Sequence, residues 1–306
     1  MTFTLFPDTR LALARDSLTG LSVGDALGSQ FFVPGRHPDD MAAGRLPPPP
    51  WQWTDDTEMA CSVVAELAEH GGIDRDRLAL AFAERCEPYR GYGPGAVTIL
   101  RLIRTGTPWP VAAASAFDGQ GSCGNGAAMR VGPLGAWFAD STTRAAAQAR
   151  ASAEVTHAHP EGIAGAVAVA VAAALAARAR LDGDRPDPAR LLAAVATALD
   201  PAAEVHRRVR RAVGLLGRGL PEAVEALGNG SRVTAQDTVA FTLWVAATHL
   251  DDYPAAIRAC VEAGGDVDTT AAIVGAIVAA HTGVGTPSGV PDGWLAAREP
   301  LPDWAR

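Results

Sequence analysis

Two short clusters of carboxylates and threonines are the residues of this sequence best suited to chemistry. The first is WTDDT at residues 53–57, which follows a proline-rich segment. The second is GGDVDTT at residues 264–270, near the other end of the chain. Each cluster opens a stretch with helical periodicity. Carboxylate and hydroxyl oxygens are the ligands that hard divalent cations prefer.

The simpler interpretation of each cluster is a helix cap, because the first turn of a helix favours Thr, Asp and negative charge. Capping does not require two carboxylates with two hydroxyls, however, and here the combination occurs twice. If Asp55, Asp56, Asp266 and Asp268 lay together, they would repel one another and take up protons. A pair of cations removes that cost. We therefore predict that the fold joins the two helix starts around magnesium or manganese rather than zinc.

Composition limits the alternatives. The chain has 306 residues, of which 48% are hydrophobic and 20% charged, as in a globular protein. The formal net charge of −8 argues against general nucleic-acid binding. All 26 basic residues are arginine, so a Schiff-base lysine and a Walker-A lysine are both excluded.

The cysteine spacing, the N-terminus and the most apolar stretch each argue against one class of site or location. The four cysteines, at 61, 86, 123 and 260, form no C-x-x-C pair, which argues against a zinc site or a disulfide framework. The N-terminus lacks the basic start and apolar block of a signal peptide, so we expect a cytoplasmic location. Residues 162–177 are uncharged, but they are too few to span a membrane, and their alanines favour a packed core helix.

Helical periodicity dominates the chain, and no alternating strand pattern stands out. We predict an all-α fold of about a dozen helices in a single domain over residues 1–306. Gly20, Gly24 and Gly28 recur every four residues, which lets another helix approach closely. Asp25 lies within that apolar face and needs a partner there. A hydrogen-bonded structural role is favoured over a direct role in metal binding.

Two glycine-rich segments are candidates for ligand contact. The first, RGYGPG at 90–95, is either a helix connection or a backbone that approaches a ligand. The second runs from 119 to 132 and reads GQGSCGNGAAMRVG. Its glycines let backbone N–H groups turn inward, and we expect a helix start to follow, a combination suited to an anion such as phosphate. His157 is either a cap or a ligand contact.

Six motifs, taken in order, are similar to those of one enzyme family. They are GDxxG at 24–28, TDDT at 54–57, RGYG at 90–93, GSCGNGAAMRV at 121–131, TH at 156–157 and GGDxDT at 264–269. The sequence resembles the ADP-ribosyl-glycohydrolases, also called ADP-ribosyl-acceptor hydrolases, over residues 14–285. The glycine-rich blocks look closest to the subgroup that acts on ADP-ribosyl-serine and related O-linked conjugates.

The resemblance implies an all-α fold, two magnesium ions and ADP-ribose as the bound product. The implied metal ligands are Thr54, Asp55, Asp56, Asp266, Asp268 and Thr269. The implied substrate-binding residues are Gly91, Gly93, Gln120, Gly121, Ser122, Cys123, Gly124, Asn125, Gly126 and His157. The distal ribose would place its hydroxyls on the metals, and the loop from Gln120 to Gly126 would line the ribose and the diphosphate.

The sequence departs from the family pattern at two positions. Many members carry a glutamate soon after GDxxG, and we place Phe32 at that position. Cys123 lies where the serine-directed subgroup tends to have an aromatic residue that helps to hold the adenosine.

The resulting hypothesis is hydrolysis at the anomeric carbon of the distal ribose, with Asp56 or Asp266 accepting the proton of the attacking water. Conjugates of serine are favoured, and conjugates of arginine are a second candidate. Phe32 motivates an alternative, a non-catalytic ADP-ribose-binding module. A third interpretation is an all-α prenyl-diphosphate enzyme, since residues 55–58 read DDTE. It fits poorly, because no glutamate follows Asp268 at helical spacing.

Overall fold

The computed structural model describes residues 4–305, and that part of the chain is helical with no β-strand. The first nine α-helices are α1 (Pro7–Gly28), α2 (Pro38–Ala42), α3 (Asp55–His70), α4 (Arg75–Arg85), α5 (Pro94–Arg104), α6 (Trp109–Ala114), α7 (Ala116–Gly119), α8 (Gly132–Trp137) and α9 (Thr142–Glu154). The others are α10 (Pro160–Asp182), α11 (Pro188–Thr197), α12 (Glu204–Val213), α13 (Leu220–Leu227), α14 (Ala235–Thr248), α15 (Tyr253–Ala263), α16 (Val267–Thr282) and α17 (Asp292–Ala297).

The predicted all-α class is confirmed, but the described residues form seventeen α-helices rather than about a dozen. The additional helices are short ones such as α2, α6 and α8, which have five or six residues each. All three have proline in their first turn. Proline is suited to a helix start but gives no periodicity over so few residues.

The apolar helix α10 is longer than the uncharged run at its centre, because it extends to Asp182 and has 23 residues. By length and composition it could cross a membrane, so the expectation that it is too short was wrong. The predicted core helix is nevertheless what the structure shows, since 78% of its most apolar stretch is buried within the protein.

Helices α1 and α16 cross in close contact at the centre of the molecule, as the glycine spacing predicts. A Cβ atom added at Gly24 would collide with the carbonyl oxygen of Ala271, and one at Gly20 would collide with that of Gly275. A Cβ atom at Gly28 would lie 2.7 Å from the carbonyl oxygen of Val267. Backbone therefore packs on backbone along this seam, and the end of α1 meets the start of α16.

Candidate active site

The first acidic cluster lies at the start of α3, as predicted. Thr54 is the N-cap, and its hydroxyl accepts a hydrogen bond from the backbone N–H of Asp56 at 3.4 Å. The same hydroxyl lies 3.0 Å from the Asp56 carboxylate. Asp55 is partly exposed and Asp56 is buried. Capping is thus one role of this cluster, but it uses Thr54 and leaves both aspartates available.

Asp25, from the last turn of α1, supports this helix start from below. Its fully buried carboxylate accepts hydrogen bonds from the N–H and hydroxyl of Thr54, at 2.9 and 2.8 Å. It also accepts from the N–H and hydroxyl of Thr57, at 3.2 and 2.5 Å. Four donors satisfy both oxygens, which confirms the predicted structural role. One of its oxygens also lies within 4.8 Å of oxygens of Asp56 and Asp268.

The second acidic cluster lies at the start of α16, with Asp266 as the N-cap residue. The Thr269 hydroxyl lies 3.5 Å from the Asp56 carboxylate, so the two helix starts meet across more than two hundred residues. Asp268 belongs to the same group of carboxylates as Asp56. The structure therefore brings the two predicted clusters together.

Burial and mutual repulsion disturb the ionisation of this group. Burial, and then the charge of Asp25, raise the pKa of Asp55 to about 8. Burial raises the pKa of Asp56 well above its usual range, and Asp25 and Asp268 raise it further. The pKa of Asp268 is raised in the same way, by burial and then by Asp266. Burial also raises the pKa of Asp266. Among residues 4–305, no cationic side chain forms a salt bridge with these carboxylates.

The donor set fits divalent metal ions. Among residues 4–305, Asp56 Oδ1 is buried and has no hydrogen-bond partner, which is costly for a carboxylate unless a cation or a proton binds it. The groups that converge here are carboxylates and threonine hydroxyls, a hard oxygen set that suits magnesium or manganese.

The longer glycine-rich loop closes against the second acidic cluster. The side-chain amide of Asn125 donates to the Asp266 carboxylate at 2.7 Å and to the Thr238 hydroxyl at 3.1 Å. The N–H of Gly124 donates to the Ser122 hydroxyl at 3.1 Å. One loop residue thus connects the candidate anion site directly to the candidate metal site.

The helix expected after this loop is a single 3-10 turn, Asn125–Ala127, and α8 begins only at Gly132. Helix α8 has only six residues, which is too few for a helix to be recognised from sequence periodicity. The loop packs instead on the residues before and within α10. A Cβ atom at Gly121 would lie 2.7 Å from the N atom of His159, and one at Gly162 would lie 2.8 Å from the Ser122 carbonyl.

The shorter glycine-rich segment lies beside the first cluster. Gly91 has a positive φ of 95°, and an added Cβ atom there would lie 3.7 Å from the Asp55 carboxylate. Its neighbours fix the segment, since Arg90 stacks on Trp53 with its guanidinium carbon 3.4 Å from the ring centroid. Tyr92 donates to Glu58, in the first turn of α3, at 2.7 Å.

His157 lies over the longer loop. Its Nε2 is 3.3 Å from the position of a Cβ atom added at Gly124 and 3.2 Å from that of one added at Gly126. Its Nδ1 lies 2.8 Å from the Thr156 hydroxyl. Gly93 and Gln120 are more loosely connected to the site. Both are exposed, and no hydrogen bond to a described side chain joins them to the acidic residues.

The position of the expected glutamate is apolar. The 3-10 turn Ser29–Phe32 follows α1 directly, and the Phe32 side chain is 54% exposed. Gln30 does not replace the acid, because its amide donates to the Ala26 carbonyl and its oxygen accepts from Arg36.

The segment from Asn229 to Val233 holds both halves of the site, although it carries no functional motif in the sequence. The backbone N–H of Asp266 donates to the carbonyl of Asn229 at 3.3 Å, and that of Asn125 donates to Val233 at 3.2 Å. In sequence, the Asn-Gly dipeptide at 229–230 indicates only a turn. The glycine of this dipeptide is required by close packing, since a Cβ atom added at Gly230 would lie 2.7 Å from the Asp266 Cβ.

Comparison with known proteins places this geometry in a family. The model of the ADP-ribosylglycohydrolase family matches residues 7–306. The chain belongs to the ADP-ribosylglycohydrolase family. An uncharacterized protein of Archaeoglobus fulgidus is 31% identical over 304 residues, covering 92% of this chain and 90% of its own length.

Other family relatives match over shorter stretches. Human ADP-ribosylhydrolase ARH3 is 32% identical over 165 residues, which cover 48% of this chain and 45% of the human protein. The ADP-ribosylarginine hydrolase Tri1 of Pseudomonas putida is 29% identical over 169 residues, or 50% of this chain and 44% of its own. These alignments span about half the length of the curated relatives. A solved structure described as an ADP-ribosylglycohydrolase-related protein complex has a TM-score of 0.64 and 29% identity, covering 95% of this chain and 94% of its own.

Proposed function

We propose that this chain is a magnesium-dependent hydrolase that releases ADP-ribose from ADP-ribosylated conjugates. The observation that carries the proposal is the 2.7 Å hydrogen bond between Asn125 and Asp266. It joins an acidic cluster suited to metal ions to a glycine-rich loop suited to a diphosphate. Membership in the ADP-ribosylglycohydrolase family supports the same assignment.

Residues at the two helix starts would hold two magnesium ions, or two manganese ions. They are Thr54, Asp55, Asp56, Asp266, Asp268 and Thr269. When bound, such ions act as Lewis acids and lower the pKa of a coordinated water. Asp25 serves the site indirectly, because its four hydrogen bonds fix the start of α3.

The glycine-rich loops would bind the nucleotide part of the substrate. The backbone N–H groups between Gln120 and Gly126 would receive the diphosphate, which is how a chain without lysine can bind this anion. Gly91 and Gly93 would line the other side, and His157 would contact the same ligand.

In the proposed reaction, the oxygen of water forms a bond to the anomeric carbon of the distal ribose, and the bond from that carbon to the acceptor breaks. Asp56 or Asp266 takes a proton from the water, and an equivalent proton passes to the acceptor as it leaves, so the carboxylate is regenerated. Asp56 offers a free buried oxygen, whereas an oxygen of Asp266 is held by Asn125. The variants Asp56→Asn and Asp266→Asn, compared at saturating magnesium, separate these two assignments.

We favour O-linked acceptors such as serine, with arginine as the second candidate. The test uses peptides carrying ADP-ribosyl-serine or ADP-ribosyl-arginine, incubated with magnesium or with EDTA. We expect release of ADP-ribose with magnesium, faster from serine, and loss of release in EDTA. Asp292→Asn is the matched control, because Asp292 is an exposed aspartate in the first turn of α17. If neither peptide is cleaved, the hydrolase assignment is wrong.

A non-catalytic ADP-ribose-binding module is the second candidate, and the exposed Phe32 at the position of the family's glutamate favours it. Calorimetry distinguishes the two functions. Tight, magnesium-dependent binding of ADP-ribose without cleavage of either peptide would select the binding module. Restoring cleavage with Phe32→Glu would show that this single position accounts for the difference.

A further inference from the structure

Arg130 is a fully buried cation that forms no salt bridge among the residues that the structure describes, although the charge of Asp55 acts on it from a greater distance. Its guanidinium donates to the Ser152 carbonyl at 2.6 Å and to the Thr156 hydroxyl at 3.0 Å. It also lies 3.5 Å from the sulfur of Met59 and over the ring of Phe82, 4.4 Å from the centroid. Burying a charge among neutral groups is costly, so this position calls for a reason.

The hydrogen bond from Arg130 to the Thr156 hydroxyl supplies that reason, because it fixes the direction in which this hydroxyl donates. Because a guanidinium can only donate, Thr156 must accept from Arg130. Its own proton then needs an acceptor, and within residues 4–305 the other hydrogen-bond partner of this hydroxyl is Nδ1 of His157, at 2.8 Å. If Nδ1 carried a proton instead, the hydroxyl proton of a fully buried threonine would have no acceptor.

We propose that Arg130 and Thr156 are positioning residues that fix His157 as the Nε2–H tautomer, so that it presents a permanent hydrogen-bond donor to the glycine-rich loop. The proposal rests on the proposed function for the identity of the ligand. Arg130 acts through Thr156, and Thr156 acts through the ring.

The tautomer matters because the His157 ring is neutral. Burial, and then the positive charge of Arg130, lower its pKa to about 3. A neutral imidazole has one donor and one acceptor, and the partner of one nitrogen decides the role of the other. Here Nδ1 accepts, so Nε2 donates.

The donor points into the loop that would hold the nucleotide. Nε2 adjoins Gly124 and Gly126, where the absence of side chains keeps the space open. It makes no hydrogen bond with the described residues, and the ring is 6% exposed. A ligand with an acceptor oxygen, such as the diphosphate of ADP-ribose, would complete it. The opposite tautomer would present a lone pair to that oxygen and repel it.

The test compares Thr156→Val, which keeps the shape and removes the hydroxyl, with Thr156→Ser, which keeps the hydroxyl. Two-bond nitrogen–proton NMR spectra of the imidazoles, with the His157 signal assigned from His157→Gln, report the tautomer without ligand. We expect Nε2–H in the wild type and in Thr156→Ser, and a mixture of tautomers in Thr156→Val. Calorimetry with ADP-ribose and magnesium should show at least about a tenfold weaker affinity for Thr156→Val and little change for Thr156→Ser.

An Nδ1–H tautomer in the wild type would overturn the inference, whether or not the valine variant folds. So would an unchanged ADP-ribose affinity in folded Thr156→Val. A wild type that does not bind ADP-ribose at all, yet shows the Nε2–H tautomer, would refute the proposed function and leave the positioning of His157 standing.

Discussion

The core of this protein buries unbalanced charge in two places, and the two are built differently. At the start of α3 and α16, carboxylates crowd together, and one oxygen of Asp56 has no partner. At Arg130, a single guanidinium is surrounded by a carbonyl, a hydroxyl, a sulfur and an aromatic ring. Among the described residues, each region leaves one buried side-chain atom without a hydrogen-bond partner, Asp56 Oδ1 and Arg130 Nε. The difference is that the acidic region gathers like charges that repel, whereas the arginine lies largely among neutral groups.

This difference separates a binding site from its support. Like charges that repel in the empty protein gain stability when a cation binds, so ligand and fold are energetically coupled. A cation held by neutral acceptors gains nothing from an added ligand. We therefore expect changes in the acidic region to alter turnover and the response to metal. Changes at Arg130 should alter stability and, through Thr156 and His157, the affinity for ADP-ribose, but not the response to metal.

The largest expected effect is on turnover. Asp56→Asn keeps the shape of the side chain and removes its charge, so we expect kcat/KM for the ADP-ribosylated peptide to fall by about a thousandfold or more. The measurement is release of ADP-ribose at saturating magnesium, with Asp292→Asn as the control. A loss of less than tenfold would contradict a central role for Asp56.

Arg130→Met should lower the free energy of unfolding by about 3 kcal/mol, because the Ser152 carbonyl and the Thr156 hydroxyl lose their donor in a dry environment. The increase in melting temperature caused by magnesium should remain. Urea unfolding with and without magnesium measures both. Arg144→Met, which removes an exposed arginine stacked on Phe138, is the matched control and should change stability little. A lost magnesium response would link the two regions after all.

The third prediction concerns the loss of stability as the pH falls. Because the folded state lowers the pKa of His157 to about 3, from a usual value of 6.5, the unfolded chain takes up this proton first as the pH falls. The stabilising contribution is complete above pH 6.5 and is lost progressively below it. Relative to His157→Gln, the wild type should lose about 2 kcal/mol between pH 7 and pH 5. Parallel curves for the two proteins would contradict a neutral, buried His157.

The smallest effect has an unusual sign. Asp268→Asn should stabilise the metal-free protein by about 1 kcal/mol, because one of the repelling charges disappears. For a chain of 306 residues we expect the melting temperature in EDTA to rise by about 1.5 °C. The variant should also lose the stabilisation by magnesium that the wild type shows. If Asp268→Asn is less stable in EDTA than the wild type, repulsion does not dominate the acidic region.

Residue types and spacing predicted much of this arrangement. The runs at 53–57 and 264–270 are contiguous, so their carboxylates, hydroxyls and helix starts could be identified directly. Their shared composition predicted that they meet, and the contact between Thr269 and Asp56 confirms it. The contact of α1 with α16 followed from glycines at every fourth residue.

What the sequence did not predict depends on partners distant in the chain. Asn229 supports the site through its backbone carbonyl, a group that every residue has, and Thr238 does so through a hydroxyl, which is also common. Neither residue therefore stands out in the sequence. Arg130 looked like part of the glycine-rich motif, and its link to Thr156 became visible only once α9 and α10 were in place around it. Short helices with prolines in their first turn likewise left no periodic trace.

The seam between α1 and α16 has a consequence for how this architecture can diversify. At Gly20 and Gly24 one main chain rests against another, so a larger residue at either position would push the two helices apart. The close packing at these glycines thus fixes the distance between Asp25 at the end of α1 and Asp266 at the start of α16. Surface loops around this pair are free to vary in length and chemistry while the spacing of the acidic residues stays constant.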